Sequence, residues 1–200
     1  MSRAHLLAIL LALTPTTAFV STGPARPRRG AALNTSPPVD DLFATIESLQ
    51  RELAAASDDT QRTELSDRLG GLKLSAEMSV LSANAAFYDA FQTSDVQKMK
   101  AVWTDSDDAT CIHPGHPLIS GSSRVLNSWR ALFMSGGMPQ LRATRQKVVL
   151  RGEVAWVTCN EQAGDEPSAL EALNVFERRD GRWLMIHHGA GPVFVGSKPE

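Results

Sequence analysis

The sequence predicts an α+β domain in which helices come first and consecutive β-hairpins follow. Three observations carry that reading. Between residues 42 and about 92, apolar residues recur at three- and four-residue spacing, as a helix with one buried stripe requires. From Leu141 onward the texture changes to strand-like runs separated by short turns. Asp180-Gly181 stands between two of those runs, and this dipeptide is the strongest short-range signal for a tight hairpin. Helices followed by hairpins differ from alternating β and α units, so the expected architecture is an antiparallel sheet folded over helices on one face.

The elements follow in order. Leu42, Ile46, Leu49 and Leu53 define a first helix from Val39 to about Ser57, with Asp40 and Asp41 suited to its start. Thr60 to Leu69 reads as a second helix, separated from the next by Gly70-Gly71, so that residues 40–74 form a helical arm before the main domain at 75–196. Ser75 to Gln92 places Val80, Ala83, Phe87 and Phe91 on one face, with Tyr88 beside them. Ser94 and Gln97 have capping-box spacing for a short helix running to Trp103. Ala109 to His113 is a short strand, and a helix carrying Val125, Leu126, Trp129, Leu132 and Phe133 ends at Gly136-Gly137. Leu141–Leu150 pairs with Val154–Glu161 across Arg151-Gly152, and Ala169–Arg179 pairs with Arg182–Ala190.

The first thirty-nine residues contain Arg3, Arg26, Arg28 and Arg29 and no acid. Leu6 to Leu13 is an apolar run of eight ending before Pro15, too short to span a bilayer and suited to a signal-peptide core. Thr16 and Ala18 favour cleavage before Phe19, and the acid-free, Ser-, Pro- and Arg-rich stretch 19–39 has transit-peptide composition. The presequence (about 1–18 signal, 19–39 transit-like) resembles the bipartite leaders of proteins sent to plastids of secondary origin; plain secretion is the alternative. Without these residues the formal charge moves from −2 to −6. A net-acidic chain without a basic cluster argues against nucleic acid as a partner, and no second apolar span argues for a membrane. Two cysteines, Cys111 and Cys159, do not make a disulfide framework; buried free thiols or a redox pair are the two readings.

The chemistry-bearing residues collect around Cys111-Ile112-His113-Pro114-Gly115-His116-Pro117, where prolines and a glycine stop a strand and leave His113 at its rim. If Asp180-Gly181 is a two-residue turn, Arg179 faces Arg182, Phe176 faces Met185 and Asn174 faces His187. Side-chain alternation then puts Asn174, Phe176, Met185 and His187 on one sheet face, and His188 on the other with Val175 and Ile186. The first face mixes aromatic and polar groups, as a ligand pocket does. His187 and His113 are the candidate acid/base residues; Trp129, Asn174, Phe176, Trp103, Tyr88, Met185 and His188 are the candidate ligand-contacting residues. The histidine and cysteine spacings match no closed metal set, so neither a metal nor another cofactor is expected. No phosphate-binding glycine loop or nucleotide fingerprint is present.

Phe87-Tyr88-Asp89-Ala90-Phe91, Trp103 before an Asp-rich turn, Cys111-Ile112-His113-Pro114-Gly115, Asn127-Ser128-Trp129, Asn174-Val175-Phe176 and Trp183 leading to His187-His188 together resemble a SnoaL-like branch of the nuclear-transport-factor-2-like superfamily. The resemblance implies a cone of curved sheet wrapped around helices, a pocket in its mouth and homodimers formed through the sheet. It implies either a cyclase, isomerase or hydrolase, here expected to act on a small apolar molecule, or a non-enzymatic binding or assembly domain; in the second case the helical arm, residues 40–72, is the expected docking surface for a partner protein. Gly189 and Gly191 depart from the branch, which commonly has a third histidine and a serine there.

Overall fold

The computed structural model describes residues 42–136, 138–164 and 170–193. The presequence reading lies outside them. Helix α1 spans Leu42–Ala55, α2 Asp59–Gln92, α3 Val96–Val102 and α4 Ser122–Ser135. Strands β1 (Thr110–Ile112), β2 (Ile119–Ser120), β3 (Leu141–Arg151), β4 (Val154–Ala163), β5 (Leu170–Arg179) and β6 (Arg182–Pro192) form one curved, unclosed sheet in the order β2-β1-β6-β5-β4-β3. The expected antiparallel sheet is corrected at one seam, because β1 runs parallel to β6, pairing Thr110 with His187 and Cys111 with His188.

Gly70-Gly71 does not break the helix: α2 runs unbroken through both. Each glycine costs about 1 kcal/mol relative to alanine in a helix interior. That cost is outweighed by packing on either side, where Leu65, Leu69, Ala76 and Val80 are buried. Asp58 caps the start, accepting from the Gln61 amide at 2.8 Å. The line between arm and cone therefore falls inside a continuous helix. The cap of α3 also shifts by one residue: Asp95 accepts from the Gln97 and Lys98 amides, while Ser94 takes a positive φ of 50°.

Helix α1 turns back along α2. Its apolar stripe packs inside the chain, where Phe43, Ile46 and Leu49 are buried. Phe43 sets its ring edge-on to Trp183 at 5.8 Å and lies under the Arg178 guanidinium at 5.1 Å. Three such side chains contribute roughly 1.5–3 kcal/mol each, which explains why the arm closes on the cone.

The Asp180-Gly181 turn forms with φ of 51° and 75°, the left-handed pair that a type I′ hairpin needs. Its register begins as expected, with Arg179 opposite Arg182 and Phe176 opposite Met185. A β-bulge then inserts Ile186, so Val175 meets His187 and Asn174 meets His188. This corrects the expected Asn174–His187 pair, and it exchanges the two histidines between sheet faces. At the bulge β6 also changes neighbour: Met185 bridges Trp103 and its carbonyl accepts from Thr104, while residues 187–189 pair with β1. A second irregularity in β3, between Thr144 and Lys147, holds Arg145 at a φ of 52°.

Candidate functional site

The site lies between the inner face of the sheet and helices α2 and α4. Inward positions of β4 are Ala155, Val157, Cys159 and Glu161, all buried. The inward residues of β6 after its bulge are His188 and Ala190. Helix α2 presents Phe87 and Phe91, and α4 presents Trp129. His113 and Pro114 close one side from the end of β1. Phe87, Phe91, His113, Pro114, Trp129, Glu161, His188 and Ala190, with Leu141 of β3, line a chamber of about 10 Å³, room for about one water.

His188 is held between aromatic rings, with Phe87 at 4.8 Å and Trp129 at 5.6 Å. Its Nδ1 lies 2.7 Å from Asn174 Oδ1. The direction of that bond follows from a chain anchored on a backbone carbonyl, which only accepts. Gln146 Nε2 donates to Ala143 O, so Gln146 Oε1 accepts from Asn84 Nδ2 at 2.8 Å. Asn84 Oδ1 then accepts from Asn174 Nδ2 at 2.7 Å, which leaves Asn174 Oδ1 as the acceptor for His188. The His188 proton therefore sits on Nδ1, and Nε2 is its basic nitrogen.

His113 has the opposite tautomer. Ser128 Oγ uses its one hydrogen on the Val125 carbonyl at 2.7 Å, so it accepts from His113 Nε2 at 2.9 Å. His113 packs edge-on to Trp129 at 4.6 Å. Burial disfavours both imidazolium forms: His113 is pushed down to about 4, with the His116 charge adding to burial, and His188 to about 3, with His113 and His187 adding. Both rings are neutral at physiological pH.

Glu161 supplies the chamber's titrating group. Burial raises its carboxyl to about 7 against the pull of a hydrogen bond from Tyr88 OH at 3.0 Å. Tyr88 also receives Asn174 Nδ2 at 3.3 Å and lies 3.2 Å from Cys159 Sγ, and its own hydroxyl is held far above the usual tyrosine range, first by burial and then by the Glu161 charge. Carboxyl and imidazole thus belong to one connected set of hydrogen bonds through Tyr88 and Asn174. Among the described residues, three buried side-chain polar atoms have no partner, and one of them, Trp129 Nε1, belongs to the chamber wall.

Of the residues read from sequence, His113, Trp129 and His188 line the chamber. Asn174 and Tyr88 stand behind it as hydrogen-bonding supports. Phe176 and Met185 are fully buried opposite one another elsewhere in the core, and Trp103 is buried where α3 meets β6, so none of the three borders the chamber. His187 is the main correction. It faces outward, half-buried, with its Nδ1 2.8 Å from Thr110 Oγ1. Its ring lies over Gly189, where a Cβ would meet His187 Nε2 at 3.0 Å. Gly189 and Gly191 alternate with the inward His188 and Ala190, so the two departures from the branch pattern fall on the outer face and leave the chamber intact.

Glu161 was not singled out from sequence, although a carboxylate continuing the inward alternation Ala155, Val157, Cys159 was a readable signal. The cysteines stay apart: the pairing places Cys111 beside His188 on β6 and Cys159 beside Ala172 on β5, and both thiols are free and buried. Burial raises both, Cys159 to about 11. No group of three or more metal-binding side chains occurs among the described residues.

The sequence pattern of the SnoaL-like domain matches residues 80–194, more than half of the chain. The chain belongs to the SnoaL-like domain family. A Streptomyces avermitilis protein of the NTF2-like family, described as a candidate dehydratase, is 30% identical with a TM-score of 0.54, covering 60% of this chain and 98% of that one. An NTF2-like protein of unknown function from Pseudomonas putida shares the fold at 18% identity and a TM-score of 0.51, covering 62% of this chain and 91% of its own. F-box protein SKIP8 of Arabidopsis thaliana is 29% identical over 119 residues, covering 58% of this chain and 51% of that protein. The chain thus spans about half the length of that curated relative. The family match begins at residue 80, within α2, so that α1 and the part of α2 before residue 80 precede it.

Proposed function

We propose that this SnoaL-like domain binds a small, largely apolar molecule carrying an oxygen acceptor, and that Glu161, His188 and His113 exchange protons with it. The observation that carries the reading is the Trp129 indole N–H, buried in the chamber wall without an acceptor. A ligand carbonyl or hydroxyl oxygen would satisfy it, with His188 Nε2 as base and Glu161, poised near neutrality, as acid. Isomerisation, dehydration and cyclisation of carbonyl compounds all use such a pair. The chamber's present volume admits about one water, so binding a larger molecule requires a wall to move. The 113–118 loop, which supplies Pro114 and is tied by the His116-to-His113 backbone bond, is the wall outside the helices and the sheet.

The test is calorimetric titration with a panel of small apolar ketones, enones and alcohols. A ligand found this way is expected to bind Trp129→Phe roughly 5- to 20-fold more weakly, the worth of one hydrogen bond, while the variant stays folded. Equal binding by Trp129→Phe, or a panel without a binder, would remove the basis for this reading.

A second reading, a non-catalytic assembly domain, is favoured by the filled chamber and by the outer sheet face. There Val154 and Leu173 are 37% and 39% exposed and Trp156, Val175 and Leu184 are partly so. Homodimerisation would cover this face. Leu173→Glu is expected to shift the sedimenting species from dimer to monomer at micromolar concentration; a wild-type chain that already sediments as a monomer rules out this dimer.

A further inference from the structure

We infer that the free edge of β3, with the groove between it and α1, is a docking site for an extended peptide segment of another protein, which adds one strand to the sheet. Among the described residues β3 is the last strand of the sheet on its side, with none of them paired beyond it. The two-residue turn Gly152-Glu153 makes Arg151 and Val154 the closing pair of the hairpin. In an antiparallel ladder, bonded and non-bonded pairs alternate, so Arg151 and Val149 bond across to β4 while Val148 and Leu150 turn their N–H and C=O groups outward. The Leu150 carbonyl behaves accordingly, taking the Arg151 guanidinium at 2.8 Å.

Beside this edge lies a groove of about 470 Å³, within the roughly 300–1,000 Å³ typical of ligand sites and far larger than the chamber. Its apolar walls are Phe43 and Ile46 of α1 and Val148 and Leu150 of β3. Phe43 is already fixed by Trp183 and Arg178, so this wall is preformed. Glu47, Glu77, Lys73 and Arg151 surround it with two charges of each sign, which does not select an anionic or cationic head group. A neutral backbone with apolar side chains at alternate positions suits both the open edge and the apolar wall. Lys147 and Arg151 flank the edge as exposed cations, the usual guard against indiscriminate strand pairing, and leave Val148 to Leu150 open between them. The α1 and Lys73–Glu77 part of the groove precedes residue 80, so the site is an addition to the family's shared cone.

The experiment is selection of random nine-residue peptides displayed on phage against the intact chain, followed by synthesis of the best binder with and without N-methylation at alternate residues. Expected are an alternating apolar pattern, at least a tenfold loss of affinity on N-methylation in one of the two alternating registers, and peptide-dependent protection of the Val148 and Leu150 amides from hydrogen exchange. Gln50→Trp, which fills the groove from the exposed side of α1, is expected to weaken the same peptide at least fivefold. The inference is overturned if no peptide is selected, if N-methylation leaves affinity unchanged in both registers, or if the two amides become protected with rising protein concentration alone, which would make the edge a contact between copies of this chain.

Discussion

Glu161→Gln is expected to stabilise the protein by about 3 kcal/mol above pH 7 and to leave its stability unchanged below about pH 4.5. The sign follows from proton binding. In the fold, burial holds the proton on Glu161 up to about pH 7, whereas the ordinary carboxyl releases it near 4.5. Between those values the folded state binds more protons than the unfolded one, so the wild-type loses stability as pH rises through the window and levels off above it. About 2.5 pH units correspond to about 3 kcal/mol. Glutamine removes that loss while its carbonyl still accepts from Tyr88 OH.

His113 and His188 act with the opposite sign. Their folded values, about 4 and about 3, lie below the ordinary 6.5, so their contribution is present above that value and is lost as pH falls. Both proteins carry them, so they cancel in the difference. Urea unfolding of wild type and variant at pH 4.5, 6 and 8 checks the result. A difference that does not change with pH would mean that Glu161 does not titrate in this window. Under the proposed function the same substitution separates binding from chemistry, because it keeps the chamber's shape and removes the proposed acid.

How much of this was legible depended on whether a feature is set locally. The Asp180-Gly181 turn carries its own backbone requirement, so its hairpin and first register pairs could be read from two residues. The bulge at Ile186 could not, because it arises where β6 changes partners from Trp103 to β1, a contact between segments about eighty residues apart. A one-residue insertion reverses every later side chain, so a correct turn still gave the wrong histidine. The continuous α2 has the same origin. Gly70-Gly71 is a local break signal, and packing against α1 and the core overrides it. Asp95 replaced Ser94 as a cap because both are good caps one residue apart, and capping preference does not choose between them. The chamber was half readable: His113, Trp129 and the Asn174 support stood out by residue type, while Glu161 emerged only once its strand had a face.

Asn174→Leu is the second large effect, with an expected loss of about 3–5 kcal/mol. The substitution roughly conserves volume, so the cost comes from the partners left behind. Asn84 Oδ1 loses its donor and His188 Nδ1–H loses its acceptor, both in fully enclosed surroundings, and Tyr88 OH loses one of its contacts. A buried polar atom without a partner costs about 1–3 kcal/mol. In a chain of this length the melting temperature should fall by roughly 10 °C. A lost packing contact would show the same fall, so a second readout is needed. Nitrogen NMR of the histidine rings should find wild-type His188 protonated on Nδ1 and His113 on Nε2. In Asn174→Leu, His188 should move toward the mixed tautomers of an unconstrained ring while His113, held by Ser128, stays as it was. If His188 keeps its Nδ1 proton without Asn174, or if wild-type His188 is already protonated on Nε2, the chain from Ala143 through Gln146 and Asn84 does not set the ring. In the second case His188 would also lose its place as the proposed base, because its basic nitrogen would be Nδ1, the one turned toward Asn174, and not Nε2.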